Sequence, residues 1–140
     1  MKTILKFGLV SVIAMTVLVS SCGKYEEGPK ISLMTKKSRI VNSWKLVKEI
    51  YNGVEQNLAG FTMVMDIKKD GSYTATITSG AFSFSDTGTW QFSSDKESVI
   101  TTPAGGSSAS TATILRLKSK EFWTKEVNGG NTDEVHYEQN

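Results

Sequence analysis

From Ser43 onward the chain alternates apolar and polar residues, interrupted at short intervals by turn residues. Phe61, Met63, Met65 and Ile67 share one face of an expected strand from Phe61 to Lys68. Such a period of two marks a strand with one face turned to a core. Asp70-Gly71 then predicts a tight turn, because this pair tolerates positive φ. Ser72 to Thr78 follows, with Tyr73, Ala75 and Ile77 alternating against threonines. Ala81 to Ser85 puts Phe82 and Phe84 on one face, and Gly88 to Ser93 pairs Trp90 with Phe92. Ser98 to Thr102 is a short strand that Pro103 ends. Thr111 to Lys118 reads as a strand with Thr113, Leu115 and Leu117 inward and Ile114, Arg116 and Lys118 outward. Phe122 to Val127 and Thr132 to Glu138 complete the series, joined by the turn Asn128-Gly129-Gly130-Asn131.

The segment Leu33 to Tyr51 fits two patterns. Ile40, Trp44, Val47 and Tyr51 recur at helical spacing, while Trp44, Leu46, Lys48 and Ile50 lie on one face of a strand. The favoured reading is a short helix to about Val41 and a strand from Ser43, with Asn52-Gly53 as the stop. Ala104 to Ser110 is rich in glycine, serine and alanine and reads as a loop. The sum is an all-β domain of about eight short antiparallel strands, hence a sandwich or a barrel.

The first 22 residues follow a different logic. Lys2 and Lys6 precede an apolar run from Phe7 to Val19, which is shorter than the roughly 20 residues a spanning helix needs. A basic start, a short apolar run and small residues at Ser20 and Ser21 describe a secretory leader. Val19-Ser20-Ser21-Cys22 also resembles a bacterial lipobox. That resemblance implies removal of residues 1–21 and lipid attachment at Cys22, whose thiolate is the nucleophile that accepts the lipid. The expected organisation is a signal peptide over 1–21, a lipidated tether over 22–34 and a β domain over 35–140. Lys24, Glu26 and Glu27 resemble the acidic export tag of Bacteroidetes lipoproteins. The expected location is therefore the outer membrane, lipid-anchored, facing either the cell surface or the periplasm.

This division changes the reading of charge and cysteine. The formal net charge of +2 resides in Lys2 and Lys6, so residues 22–140 hold 14 basic and 14 acidic residues. A neutral domain is unsuited to nucleic acid, whose phosphates demand a basic surface. Cys22 is the single cysteine, so no disulfide within the chain supports the fold.

The order of motifs over residues 35 to 140 resembles the small lipocalin-like domains of Bacteroidetes lipoproteins. A helix leads into Ile40-Val41-Asn42-Ser43-Trp44-Lys45-Leu46-Val47, with a tryptophan near the start of the first strand. Asp70-Gly71-Ser72-Tyr73 gives the hairpin with an aromatic, and Gly88-Thr89-Trp90-Gln91-Phe92 the Gly-x-Trp strand. Leu115-Arg116-Leu117 and a closing strand with Tyr137 end the pattern. Asn42 stands where the usual opening has glycine. The resemblance implies an up-and-down barrel with a short N-terminal helix, and a non-catalytic role.

Candidate chemistry is sparse. No nucleophile elbow, phosphate loop, dinucleotide fingerprint or zinc-protease helix is present, so neither an enzyme nor a cofactor is expected. His136 lies beside Glu134 and Glu138, a thin metal set that reads better as an outer wall. Asp66 and Asp70 flank a hairpin, and Lys36, Lys37 and Arg39 form a small basic cluster, both read as solvated. The remaining candidates are Trp44, Met63, Met65, Phe82, Phe84, Trp90 and Trp123. They could line a cavity for a small apolar ligand, methionine being adaptable. They could equally fill a dry core, since small eight-stranded barrels can be packed solid. The expected partners are the membrane, through the anchor, and a small hydrophobic ligand. A surface glycan- or protein-binding accessory module is the alternative.

Overall fold

Thr35 caps the first helix by accepting a hydrogen bond on Oγ1 from the Ser38 backbone N–H at 3.0 Å. Threonine suits this position because its side chain satisfies a donor that the first helical turn leaves unpaired. The computed structural model describes residues 34–106 and 108–140. The expected leader, Cys22 and the expected tether up to residue 33 lie outside the described residues. Helix α1 covers Lys36–Ile40, followed by strands β1 (Ser43–Tyr51), β2 (Val54–Glu55), β3 (Phe61–Ile67), β4 (Ser72–Ser79) and β5 (Phe82–Phe92). Strands β6 (Ser98–Pro103), β7 (Ser110–Leu117), β8 (Glu121–Asn128) and β9 (Asn131–Gln139) complete the chain.

Each strand from β3 to β8 pairs antiparallel with the next, and β1 pairs with both β3 and β9. The sheet thus closes on itself as an up-and-down barrel of eight strands, with β2 appended to β1. A sandwich would leave the first and last strands at edges; here β1 and β9 pair from Trp44 with Gln139 to Tyr51 with Asp133, and Leu46 faces Tyr137. Asn52 (φ 49°) and Gly53 (φ 80°) form the two-residue turn between β1 and β2, the geometry that Asn-Gly accommodates most readily.

Three local expectations change. The two strands Ala81 to Ser85 and Gly88 to Ser93 are one, β5, because Ser85, Asp86 and Thr87 stay paired with Thr76, Ala75 and Thr74 of β4. In β7 a bulge lies between Ile114 and Arg116, so Ile114 and Leu117 are both buried. Thr113 is exposed and Leu115 only half-buried, where alternation had placed both inward. In β1 a second irregularity lies between Leu46 and Lys48. Trp44 and Leu46 face inward, but beyond the bulge Lys48 pairs with outward His136 and Ile50 with Glu134. Glu49 and Tyr51 take the inward positions opposite Val135 and Asp133.

Helix α1 closes one end of the barrel. Trp44 Nε1 donates to the Ile40 carbonyl at 2.8 Å, and Arg39 Nη1 donates to the Leu117 carbonyl at 3.2 Å. The Ile67 N–H donates to the Asn42 carbonyl at 2.9 Å. The largest fully buried side chains are Trp44, Phe122, Ile40, Ile114 and Leu117. Apart from Ile114 they come from α1 and from the strand ends nearest it, so the solid core is a floor. Burying an aliphatic or aromatic side chain of this kind contributes about 1.5–3 kcal/mol. Trp44 and Phe122 pack at 5.5 Å between ring centroids, and Phe122 stacks on Tyr137 at 5.7 Å.

Candidate functional site

The inward positions above this floor are not filled. A cavity of about 520 Å³ is lined by Met63, Met65 and Ile67 of β3, Tyr73, Ala75 and Ile77 of β4, and Phe84, Asp86 and Trp90 of β5. Val99, Thr101, Ala112, Phe122, Thr124 and Tyr137 complete the wall, with Pro103 and Gly105 beside the far end. That volume falls within the roughly 300–1,000 Å³ of small-molecule sites. The chamber reaches the surface at the end opposite α1, where Phe84 lines it and is 65% exposed.

Period-two geometry explains the lining. Each strand turns alternate residues inward, and among the aromatic residues that line the chamber stand short or flexible ones, Ala75, Ala112, Thr101, Met63 and Met65, which leave space between them. At the level of the floor they are Trp44, Leu117 and Phe122. Phe122 joins the two levels, packed in the floor and forming part of the chamber wall.

The candidate residues read from sequence divide accordingly. Met63, Met65, Phe84 and Trp90 line the chamber. Trp44 belongs to the floor, where its indole N–H is held by Ile40. Phe82 shares the face of Phe84 but stands at the tip of the β4–β5 hairpin and is 83% exposed. Trp123 is on the outer wall, because the inward residues of β8 are Phe122 and Thr124. There it stacks on His136 at 4.0 Å with nearly parallel rings, and the Arg116 guanidinium lies 4.4 Å from its ring. His136 Nε2 lies 2.7 Å from Glu134 Oε1.

Polar groups in the barrel went unread. The Tyr73 hydroxyl donates to Asp86 Oδ2 at 3.3 Å, and both residues line the chamber. Burial and the Asp86 charge raise the Tyr73 hydroxyl above its ordinary range. Glu49, Glu126 and Asp133 occupy inward positions on the β1–β9–β8 wall, at the levels of Val135 and just beyond. Glu126 Oε2 accepts from Ser110 Oγ at 2.6 Å. Burial, then the neighbouring Asp133, raises Glu49; burial, then Glu126, raises Asp133. Tyr137 is pushed far above the usual phenol range, by burial first and then by Asp133 and Glu49. Among the described residues no group of three His, Cys, Asp or Glu is placed to hold a metal ion.

The sequence model of the lipocalin-like domain matches residues 40–123, from the last residue of α1 to the third residue of β8. The chain belongs to the lipocalin-like domain family. The matched stretch carries the floor residues Ile40, Trp44, Leu117 and Phe122 and most of the chamber lining. Members of this family are generally non-catalytic binding proteins, and a lipocalin-like domain is a barrel suited to a small molecule. No curated protein matches the chain.

Proposed function

We propose that this chain is a cell-envelope lipoprotein whose barrel holds a small apolar ligand and carries out no catalysis. The observation that supports the reading best is the apolar chamber above the packed floor: Met63, Met65, Ile77, Phe84, Trp90 and Val99 line it. Flexible methionines adapt to ligand shape, and aromatic faces add contact area. The Val19-Ser20-Ser21-Cys22 lipobox supports an outer-membrane anchor.

The alternative, an accessory module for glycans or proteins, draws less support. Glycan recognition wants an open aromatic face. Trp123 lies between Arg116 on β7 and His136 on β9, which cover its ring, and the exposed Phe82 and Phe84 stand at the hairpin beside the chamber mouth, where they serve the chamber reading equally well.

Binding of a neutral lipophilic fluorescent probe tests the chamber reading. Met63→Lys places a charge in the lining, and we expect it to abolish probe binding. Unchanged binding by that variant would place the probe elsewhere and count against the reading.

A further inference from the structure

The inner surface of the barrel has one sign of charge. Register assigns the inward positions of every strand in the ring. They carry four carboxylates, Glu49, Asp86, Glu126 and Asp133, and no lysine, arginine or histidine. The basic residues of these strands face out: Lys45 and Lys48 on β1, Arg116 on β7, Lys125 on β8 and His136 on β9. Arg39 sits on α1 with its guanidinium on the Leu117 carbonyl and does not line the chamber.

Asp86 is the one carboxylate in the chamber lining itself. A carboxylate accepts up to about four hydrogen bonds. The Tyr73 hydroxyl engages Oδ2 from the floor side, which fixes the side chain and leaves acceptor capacity for a donor within the chamber. Asp133 Oδ1, on the opposite wall, is buried with no hydrogen-bond partner. Burial strengthens the field of such groups, because effective dielectric falls away from bulk water.

We propose that the chamber selects cationic amphiphiles, an apolar chain or ring system bearing an amine, over the carboxylate-bearing lipids of the same size. This rests on the reading of the chamber as a ligand site and adds the ligand's charge class. The apolar portion lies among Met63, Met65, Ile77, Phe84 and Trp90, and the ammonium group meets Asp86. A carboxylate in the same place meets like charge from Asp86 and from the β1–β9–β8 wall, with no cation to receive it.

Three probes with one chain length separate the claims: decylamine, decanol and decanoate, titrated calorimetrically into the full chain near neutral pH. Amine and acid are then both charged. The expected order is decylamine tightest, decanol next and decanoate weakest, with the amine bound more than roughly tenfold tighter than the acid. In Asp86→Asn, which keeps an acceptor for Tyr73, the amine-to-alcohol ratio should fall toward one. Glu49→Gln should narrow it in the same direction from the other wall. Decanoate binding as tightly as decylamine overturns the charge selection while leaving the chamber reading intact. Failure of all three probes, decanol included, overturns the chamber reading and the selection with it.

Discussion

Tyr73 packs its ring into the space where a side chain on Gly88 would stand. A Cβ on Gly88 would lie 2.6 Å from Tyr73 Cε1 and would also collide with the Thr102 carbonyl oxygen. The two residues face each other across the β4–β5 ladder. Gly88 therefore matters for space and not for backbone freedom: it lets Tyr73 lie flat along β5 and deliver its hydroxyl to Asp86.

Gly88→Ala should consequently destabilise the fold by about 1–3 kcal/mol, as overpacking does in well-packed interiors. Thermal unfolding checks this; a loss near 1 kcal/mol lowers the Tm by roughly 4–8 °C in a domain of this size. An unchanged Tm would mean that Tyr73 does not occupy the described position.

The inward carboxylates predict an unusual pH dependence. Glu49 and Asp133 lie above the usual carboxylate range in the folded chain, chiefly through burial. An acid with a raised folded value keeps its proton longer when folded than when unfolded. The folded state then binds more protons between the two values, so stability declines as pH rises through that window. Glu49→Gln and Asp133→Asn should each raise the Tm near neutral pH and lose that advantage below about pH 3, where unfolded carboxyls are also protonated. Asp70 has the opposite sign: Ser72 holds it below its ordinary value, so its contribution is present above the unfolded value and fades in acid. A lower Tm for both variants at neutral pH would contradict this account.

The proposed lipid anchor makes a separate prediction. Cys22→Ala should abolish labelling of the chain by a fatty-acid analogue in a bacterial host with lipoprotein processing. Persistent labelling of that variant would refute the lipobox reading.

Much of the fold was legible because it depends on period-two alternation. Phe61, Met63, Met65 and Ile67 announce the inward face of β3, and Asp70-Gly71 the turn that follows. What alternation cannot announce is a change of phase. Residue Val47 absorbs a bulge in β1, so Glu49 and not Lys48 enters the barrel. A bulge beside Leu115 does the same to β7. Neither bulge is marked by a glycine or a proline, so neither leaves a local signature.

The site was legible only in part, for related reasons. Splitting β5 at Asp86-Thr87 hid the shared parity of Phe84, Asp86 and Trp90. Continuity follows from eight paired residues along β4, a long-range fact. Asp133 could have been found: placing Glu134, His136 and Glu138 outside leaves Asp133, Val135 and Tyr137 inside. Trp123 misleads because tryptophan suggests a core. Its partners on the outer wall, Arg116 and His136, come from strands on either side and are invisible to local pattern. Chamber against solid core is a question of summed side-chain volume at one level of the barrel, which alternation does not encode.

The central claim, that the chamber is the ligand site, is tested most directly by filling it. Ala112 lines the chamber from β7 and carries almost no side chain of its own. Ala112→Trp should occupy that volume without adding charge, and Trp123→Ala, on the outer wall, serves as the control. With fluorescence titration of a neutral lipophilic probe into the full chain, and folding verified by thermal unfolding, Ala112→Trp should lose binding and Trp123→Ala should keep it. Undiminished binding by a folded Ala112→Trp protein would contradict the account.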